Sequence, residues 1–497
     1  MAALEMNAEY FGVSTLQLME NAGCAVAREV AKRFEKNCTV TIFAGIGGNG
    51  GDGMVSARHL GCLGYSVNIV LIGKPSNIKR EIVKKNWEAL RFMTDSVKAV
   101  VADDSALIPK VEGEIAIDAL LGTGARGPLQ HPILDAVRVL NQTSCFMVAI
   151  DIPRGVDSDT GYVANEAIEA NLTVTFHRAK RGLIEAKDCV GELVVADIGI
   201  PREAEKYVGP GEVLLTRKKR RRETHKGDYG RVLVIGGSET YSGAPALAAM
   251  AASRVGVDVV YVATPKKTAH DISSMFPSLI TIKLEGDHLS PGNCPILKGF
   301  IEKASAVVMG PGLGLHRDTM AAVKILFETI EESKIPLVLD ADALKGFADF
   351  KHKVDFPLVL TPHGGEFQIL VKEVLSERVE ERTKKVMEVA KKLNATILLK
   401  GPVDIVSDGE RLKLNEIIHN PGMTVGGTGD LLSGIVGALL SQGFDPFRAS
   451  VSGIFINGAA GDFATNERGY HILPTDLIDW VPRVIDNPMS HITVRRT

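Results

Sequence analysis

A chain of 497 residues is too long for one ordinary hydrophobic core, so two or three domains are expected. Hydrophobic residues make up 45% and charged residues 24%, a soluble globular mix; a net charge of −3 and only 5% aromatics argue against polyanion binding and base stacking. The six cysteines form no C-x-x-C pair, which suits a reducing cytosol better than a disulfide scaffold or a zinc site.

In chain order, the N-terminus lacks a basic region followed by an apolar stretch, and no apolar run approaches a membrane span, so a cytoplasmic protein is expected. Helical spacing of apolar residues covers Ser14 to Phe34 and Gly53 to Leu63. Between and after these helices, Thr39–Ala44, Ser66–Ile72, Ile115–Asp118 and Phe146–Asp151 read as buried parallel strands. Leu172–Phe176 and Glu192–Asp197 add further strands, giving a doubly wound, Rossmann-like sheet. Gly45-Ile-Gly-Gly-Asn-Gly50 satisfies G-x-G-x-x-G, but the next strand ends Ile69-Val-Leu-Ile-Gly-Lys74 without the acid that a dinucleotide ribose requires. Instead Asp52 lies in the turn beside Asn49, and Asp118 and Asp151 end later strands. Three acids at one sheet edge suggest a cation or proton-transfer site, against the plainer reading of caps and turn formers.

Arg217-Lys-Lys-Arg-Arg-Arg222 marks the strongest break in composition. A solvated interdomain linker over 216–224 is favoured over a nucleic-acid patch, because nothing else in the chain is basic; the domains are then 1–215 and 225–497. The strand pattern restarts at Arg231–Gly236, followed by an Ala-rich helix from Ala244 to Val255. Strands Val257–Ala263, Ala306–Gly310, Pro336–Asp340, Pro357–Thr361 and Thr396–Lys400 follow. Most of these end in Gly, Asp, Thr or Lys, so polar groups collect at the carboxyl edge, where open α/β sheets bind ligands. Lys400 could reach a nucleotide phosphate or be an ordinary surface lysine. His363 and Glu366 lie on a turn entering a helix. The only Gly-Lys dipeptide, Gly73-Lys74, precedes Pro, which excludes a P-loop.

The most informative stretch runs from Asn420 to Gly434. Gly426, Gly427 and Gly429 let the backbone turn tightly and aim N–H groups at an anion, and a helix from Leu431 to about Gln442 adds its positive end. Asp430 is out of place at an anion hole unless it handles a proton. A phosphoryl-transfer site is the natural reading.

Taken in order, His225-Lys-Gly-Asp-Tyr-Gly230, Tyr241-Ser-Gly-Ala-Pro245, Gly310-Pro-Gly-Leu-Gly314, Leu339-Asp-Ala-Asp-Ala-Leu344, Thr361-Pro-His-Gly-Gly-Glu-Phe367 and Gly426-Gly-Thr-Gly-Asp430 resemble the ADP/ATP-dependent NAD(P)H-hydrate dehydratases, a ribokinase-like family. The resemblance implies that a nucleotide phosphorylates the hydroxyl of a hydrated nicotinamide ring and that phosphate then leaves. Asp430 would be the general base, with Mg²⁺ on the phosphates. Lys400, Gly401, Pro402, Val403 and Asp404 would line the nucleotide, ADP being expected over ATP, together with Gly426, Gly427, Thr428 and Gly429. Ala244, Gly312 and His363 would contact the hydrate. Two departures stand out: Gly364 where proline is expected, and Lys345 where asparagine is common.

In the first half, Leu18-Met-Glu-Asn-Ala-Gly23, Gly48-Asn-Gly-Gly-Asp-Gly53, Asp118-Ala-Leu-Leu-Gly-Thr-Gly124, Ile150-Asp-Ile-Pro153 and Asp197-Ile-Gly-Ile-Pro201 resemble the NAD(P)H-hydrate epimerases. That resemblance implies interconversion of R and S hydrates, with Asp118 catalytic and Asn49 and Asp118 binding K⁺. Gly48, Asn49, Gly50, Gly51, Asp52, Asp151 and the loop Gly122, Thr123, Gly124, Ala125, Arg126, Gly127 and Pro128 would hold the substrate. Gly48 departs from the usual asparagine. Arg154 stands where a serine contributes to the K⁺ site, and a guanidinium cannot ligate a cation; it either replaces K⁺ or turns away. Two α/β/α sandwiches are expected, Rossmann-like then ribokinase-like, acting on NADH or NADPH hydrates with ADP or ATP, as a homo-oligomer and without nucleic acid or membrane. The alternative is a ribokinase-like small-alcohol kinase behind a non-catalytic binding module, which the shared Asp430 and glycine loop do not separate.

Overall fold

The computed structural model describes residues 1–122, 127–416 and 420–495. Its contacts divide the chain into two compact units, one of Phe11–Pro201 and one of Met1–Tyr10 with Arg202–Thr497.

The first unit is built on seven parallel strands, β1 (Thr39–Ala44), β2 (Ser66–Ile72), β3 (Val97–Ala102), β4 (Ile115–Ala119), β5 (Phe146–Ile150), β6 (Leu172–Phe176) and β7 (Glu192–Ala196). Their order is β3-β2-β1-β4-β5-β6-β7. All pairings are parallel, so the chain reverses direction across the sheet between β1 and β4, and the strands' carboxyl ends lie along one edge, where open α/β sheets bind ligands. Central strands are mostly apolar because helices cover both faces; every residue of β4 is buried, Asp118 included. The helix predicted from Gly53 starts earlier, at Gly48, so the glycine turn forms its first turn. Close packing requires this glycine content: a Cβ on Gly50 would lie 1.8 Å from the Gly45 carbonyl oxygen, and one on Gly53 2.4 Å from the Ala119 Cβ.

The second unit holds nine strands, β8 (Arg231–Ile235), β9 (Val259–Pro265), β10 (Ile280–Leu284), β11 (Ala306–Met309), β12 (Leu337–Leu339), β13 (Leu358–Leu360), β14 (Thr396–Leu399), β15 (Asp404–Ser407) and β16 (Leu412–Asn415). They run in the order β10-β9-β8-β11-β12-β13-β14-β15-β16, parallel as far as β14, with β15 and β16 added as an antiparallel hairpin. β11, β12, β13 and β14 are buried along their whole lengths. Each buried Leu, Ile or Val side chain there contributes roughly 1.5–3 kcal/mol. The Ala-rich helix Gly243–Val255 packs on the helix Thr428–Ser441. The approach is close enough that a Cβ on Gly434 would meet the Ala248 carbonyl oxygen at 2.0 Å.

The units therefore do not divide at residue 216. The helix Ala2–Tyr10 packs against Arg202–Lys206 and Pro210–Thr216 in the second unit. Asn7, fully buried, explains why: its Nδ2 donates to the Ala204 carbonyl (3.1 Å) and the Glu212 carboxylate (3.0 Å), and its Oδ1 accepts from Gly211 N (2.8 Å). Nor is the basic stretch a free hinge. Lys218 Nζ donates to the Gln442 carbonyl (3.0 Å), and Arg220 donates to the Gly256 carbonyl (2.7 Å) with its guanidinium over the Tyr229 ring. Among the described residues no helix is long and apolar enough to cross a membrane.

Candidate active sites

The second unit gathers its polar groups where the strands end. Asp340 follows β12, Thr361 follows β13 and Lys400 follows β14. The three meet on one oxygen: Asp340 Oδ1 accepts from Lys400 Nζ (2.9 Å) and from Thr361 Oγ1 (2.8 Å). Asp340 is almost fully buried, and burial of an unpaired carboxylate would be costly, which favours keeping the Lys400 ammonium paired with it. Burial alone would lower the lysine's pKa, but the Asp340, Glu366 and Asp430 carboxylates outweigh it and hold Lys400 protonated.

Opposite this group the chain turns through Gly427 in the left-handed region (φ 104°), which only glycine adopts without strain, into the helix Thr428–Ser441. The helix's first N–H groups have no intrahelical partners and present partial positive charge. Lys400 Nζ lies 3.3 Å from where a Cβ on Gly429 would stand, which brings an ammonium to the same helix end. Asp430, in that first turn, has its pKa pushed up to about 7, by burial first and by the Asp340 charge second, with Lys400 opposing. A carboxylate poised near neutrality beside a cation and a helix N-terminus is equipped to take a proton from an oxygen about to bond to an anionic group.

A cavity of about 420 Å³ adjoins this helix end, lined among others by Lys400, Gly401, Pro402, Asp404, Asn415, Asn420, Thr428, Gly429 and Asn457. Gly312 (φ 67°) backs onto Tyr241 and Ala244, where an added Cβ would stand 2.7 Å from the Tyr241 carbonyl oxygen and 3.1 Å from the Ala244 Cβ. His363 is a helix cap: its Nδ1 accepts from Gly365 N (3.0 Å) and Glu366 N (3.4 Å), and its Nε2 is 3.3 Å from Glu366 Oε1. Gly364 is the first residue of that helix, and a Cβ there would meet only Arg382 Nη2 (3.7 Å) and a Leu375 methyl (3.9 Å) at ordinary contact distance, so a larger residue in its place would fit. Lys345 ion-pairs with Asp342 (2.9 Å), which also accepts from Gly314 N (2.9 Å) in the glycine turn.

In the first unit, Asp118 ends its strand fully buried. Its Oδ1 accepts from Leu120 N (3.1 Å) and its Oδ2 from Arg154 N (2.7 Å). Burial pushes its pKa up to about 6 despite those two bonds and the Arg154 charge. Arg154 has not turned away to solvent: it is 7% exposed, its Nε is buried without a hydrogen-bond partner, and burial lowers its pKa against the pull of Asp118. Asn49 is equally buried, and neither its Oδ1 nor its Nδ2 has a partner. A Cβ on Gly122 would stand 3.5 Å from Asn49 Cβ and 3.8 Å from Asp151 Oδ2, which places these three residues side by side. Asp151, in the left-handed region (φ 66°), ion-pairs with Lys180, which also donates to Thr175 Oγ1 (2.7 Å). Gly48 leaves room for Arg80, whose Nη1 lies 2.8 Å from the position of a Cβ there.

Two family models match the chain, one described as NAD(P)H-hydrate dehydratase over residues 232–483 and one as YjeF-related protein N-terminus over residues 15–182. A bifunctional NAD(P)H-hydrate repair enzyme from Hyperthermus butylicus is 43% identical over 98% of this chain and 92% of its own length. Its counterpart from Pyrobaculum aerophilum is 44% identical over 98% of this chain and 97% of its own. The chain belongs to the bifunctional NAD(P)H-hydrate repair enzyme family. For the fold alone, a ribokinase-like superfamily protein from Enterococcus faecalis matches with a TM-score of 0.50 at 24% identity, over 56% of this chain and 95% of that one.

Within this repair-enzyme chain, Lys400, Gly401, Pro402, Asp404, Thr428 and Gly429 come together on the cavity wall with His363, whereas Val403, Gly426 and Gly427 stand outside the lining. Ala244 and Gly312 pack on each other away from that lining. Thr123, Gly124, Ala125 and Arg126 lie outside the described residues; Gly127 and Pro128 are exposed. Sequence reasoning missed Asp340, Asn415, Asn457, Lys180 and Arg80. Asp340 alone carried a signal, as the strand-end acid of Leu339-Asp-Ala-Asp-Ala-Leu344.

Proposed function

We propose that the chain repairs hydrated nicotinamide cofactors, its first unit interconverting R and S NAD(P)H hydrates and its second dehydrating the S form with ADP or ATP. Family membership favours this reading over a small-alcohol kinase. The observation that carries the chemistry is Asp430, with a pKa near 7, in the helix turn beside Lys400. The Mg²⁺–nucleotide complex enters as substrate. Asp430 takes the proton of the ring hydroxyl as its oxygen bonds to the terminal phosphorus and the nucleotide's bridging oxygen leaves. The first-turn N–H groups and Lys400 stabilise charge on the transferred group. Loss of phosphate and of a proton from the neighbouring ring carbon restores the dihydronicotinamide.

In the first unit, inversion at a carbon bearing both nitrogen and hydroxyl requires one proton delivered and one removed, and Asp118, with a pKa near 6, is poised for both. The residues there do not fit a K⁺ ion. Asn49 Oδ1 and Asp118 are suitable donors, but Arg154 fills the third position with a buried guanidinium, and a second cation beside one carboxylate would leave positive charge buried and uncompensated.

The decisive experiment supplies mixed R and S NADH hydrates with Mg²⁺ and ADP or ATP and follows recovery of NADH absorbance. Complete recovery, faster than spontaneous epimerisation, is expected; no recovery removes the dehydratase, and recovery of the S fraction alone removes the epimerase.

Because the base must be ionised, kcat/KM for dehydration should rise with pH through about 7 and level off above it. At pH 6 it should stand at about a tenth of the plateau. A flat profile between pH 5.5 and 8 would show that Asp430 titrates elsewhere or is not the base.

A further inference from the structure

A line of four buried side chains runs from the first helix of the chain to the wall of the nucleotide cavity. Tyr10, the last residue of the second unit before the chain enters the first, is fully buried with its hydroxyl 2.9 Å from His491 Nδ1. His491, also fully buried, places its Nε2 2.8 Å from Asp462 Oδ2, on the helix Pro446–Arg468. The other oxygen of Asp462 accepts from Asn420 Nδ2 (2.8 Å). Asn420 Oδ1 in turn accepts from Gly422 N (2.9 Å) and caps the tight turn Pro421–Thr424, which hands the chain to Gly426, Gly427 and the phosphate-facing helix. Asn420 and Thr424 both line the cavity.

Each member is bound on both sides. Tyr10 is further held by Arg495, whose guanidinium lies over its ring and donates to its carbonyl, and by an edge contact with Phe455. A buried polar network so fully connected specifies one geometry, because slipping any link leaves a polar group unpaired in a low-dielectric interior. Its members come from residue 10, residue 420, one long helix and residue 491. Nothing in the local sequence of the phosphate turn requires them.

We propose that Tyr10, His491 and Asp462 are positioning residues for phosphoryl transfer: through Asn420 they hold the turn that sets the nucleotide-facing end of the helix. The N-terminal helix, although it precedes the epimerase unit in sequence, is thus a working part of the dehydratase. This rests on the dehydratase reading above, with the nucleotide seated in the cavity that Lys400, Thr428 and Gly429 line.

The test uses the full chain and measures dehydration against nucleotide concentration, with epimerisation as an internal control. Asp462→Ala should raise the nucleotide KM about tenfold, and Tyr10→Phe, which removes one hydroxyl, about threefold, with kcat within about twofold. Asp462→Asn should recover most of the affinity, since its amide oxygen still accepts from Asn420 and its NH₂ can donate to His491 in the other tautomer. Epimerisation should not change. A purely structural role would lower Tm and leave KM alone, so wild-type nucleotide KM in both Tyr10→Phe and Asp462→Ala overturns the proposal. Absence of nucleotide-dependent turnover in the wild-type chain would instead remove the reading on which it rests.

Discussion

Replacing Asp430 with asparagine should lower nucleotide-dependent recovery of NADH by at least about a thousandfold while epimerisation continues at its normal rate, the size expected when a positioned general base is lost. Asparagine keeps the shape of the side chain but cannot accept the hydroxyl proton. The variant should also be no less stable than the wild type at pH 8, and this separates loss of chemistry from loss of fold. The sign follows from the pKa. Burial and Asp340 hold Asp430 near 7, above an unfolded carboxyl, so ionising it disfavours the folded state and that penalty grows as pH rises through 7. Asparagine carries no charge and escapes the penalty. Comparable dehydration rates in the two proteins would exclude Asp430 as the base. A Tm at pH 8 well below that of the wild type would show that its surroundings stabilise the Asp430 carboxylate.

The same residues show what a sequence can disclose. Central strands such as β4 and β12 were legible because both faces are covered, which leaves a continuous apolar run. β3 and β10 were not legible because they are edge strands with few buried residues, and β15 and β16 because they are four-residue partners of a hairpin. The accumulation of strand-end polar residues was also legible, and Asp340, Thr361 and Lys400 do meet. Their pairing was not: Lys400, read as either a phosphate contact or a surface lysine, is bonded to an acid that no spacing rule connects to it. The unit boundary failed for a related reason. The basic run at 217–222 is conspicuous in composition, but Asn7 decides which unit owns the N-terminal helix, through bonds to residues about two hundred positions away.

Arg154 carries the second large expectation, because Asp118 has burial raising its pKa and this guanidinium lowering it. Arg154→Met should slow epimerisation about ten- to a hundredfold at pH 7 and move its pH profile upward, since an uncompensated buried carboxyl holds its proton more tightly. Dehydration of pure S hydrate should be unaffected. Arg154→Ser differs in an informative way: it removes the charge, opens space beside Asp118 and the unpartnered Asn49 Oδ1, and supplies a hydroxyl oxygen. That set of oxygens suits a monovalent cation, so KCl should restore much of the lost rate in the serine variant and little in the methionine variant. In the wild-type chain, exchanging NaCl for KCl at constant ionic strength should alter epimerisation by less than about twofold, since the guanidinium already supplies the charge. A strong K⁺ requirement in the wild type would show that the ion binds despite Arg154 and that the guanidinium serves another end. Equal, K⁺-insensitive losses in both variants would reduce Arg154 to the charge partner of Asp118, with no cation site behind it.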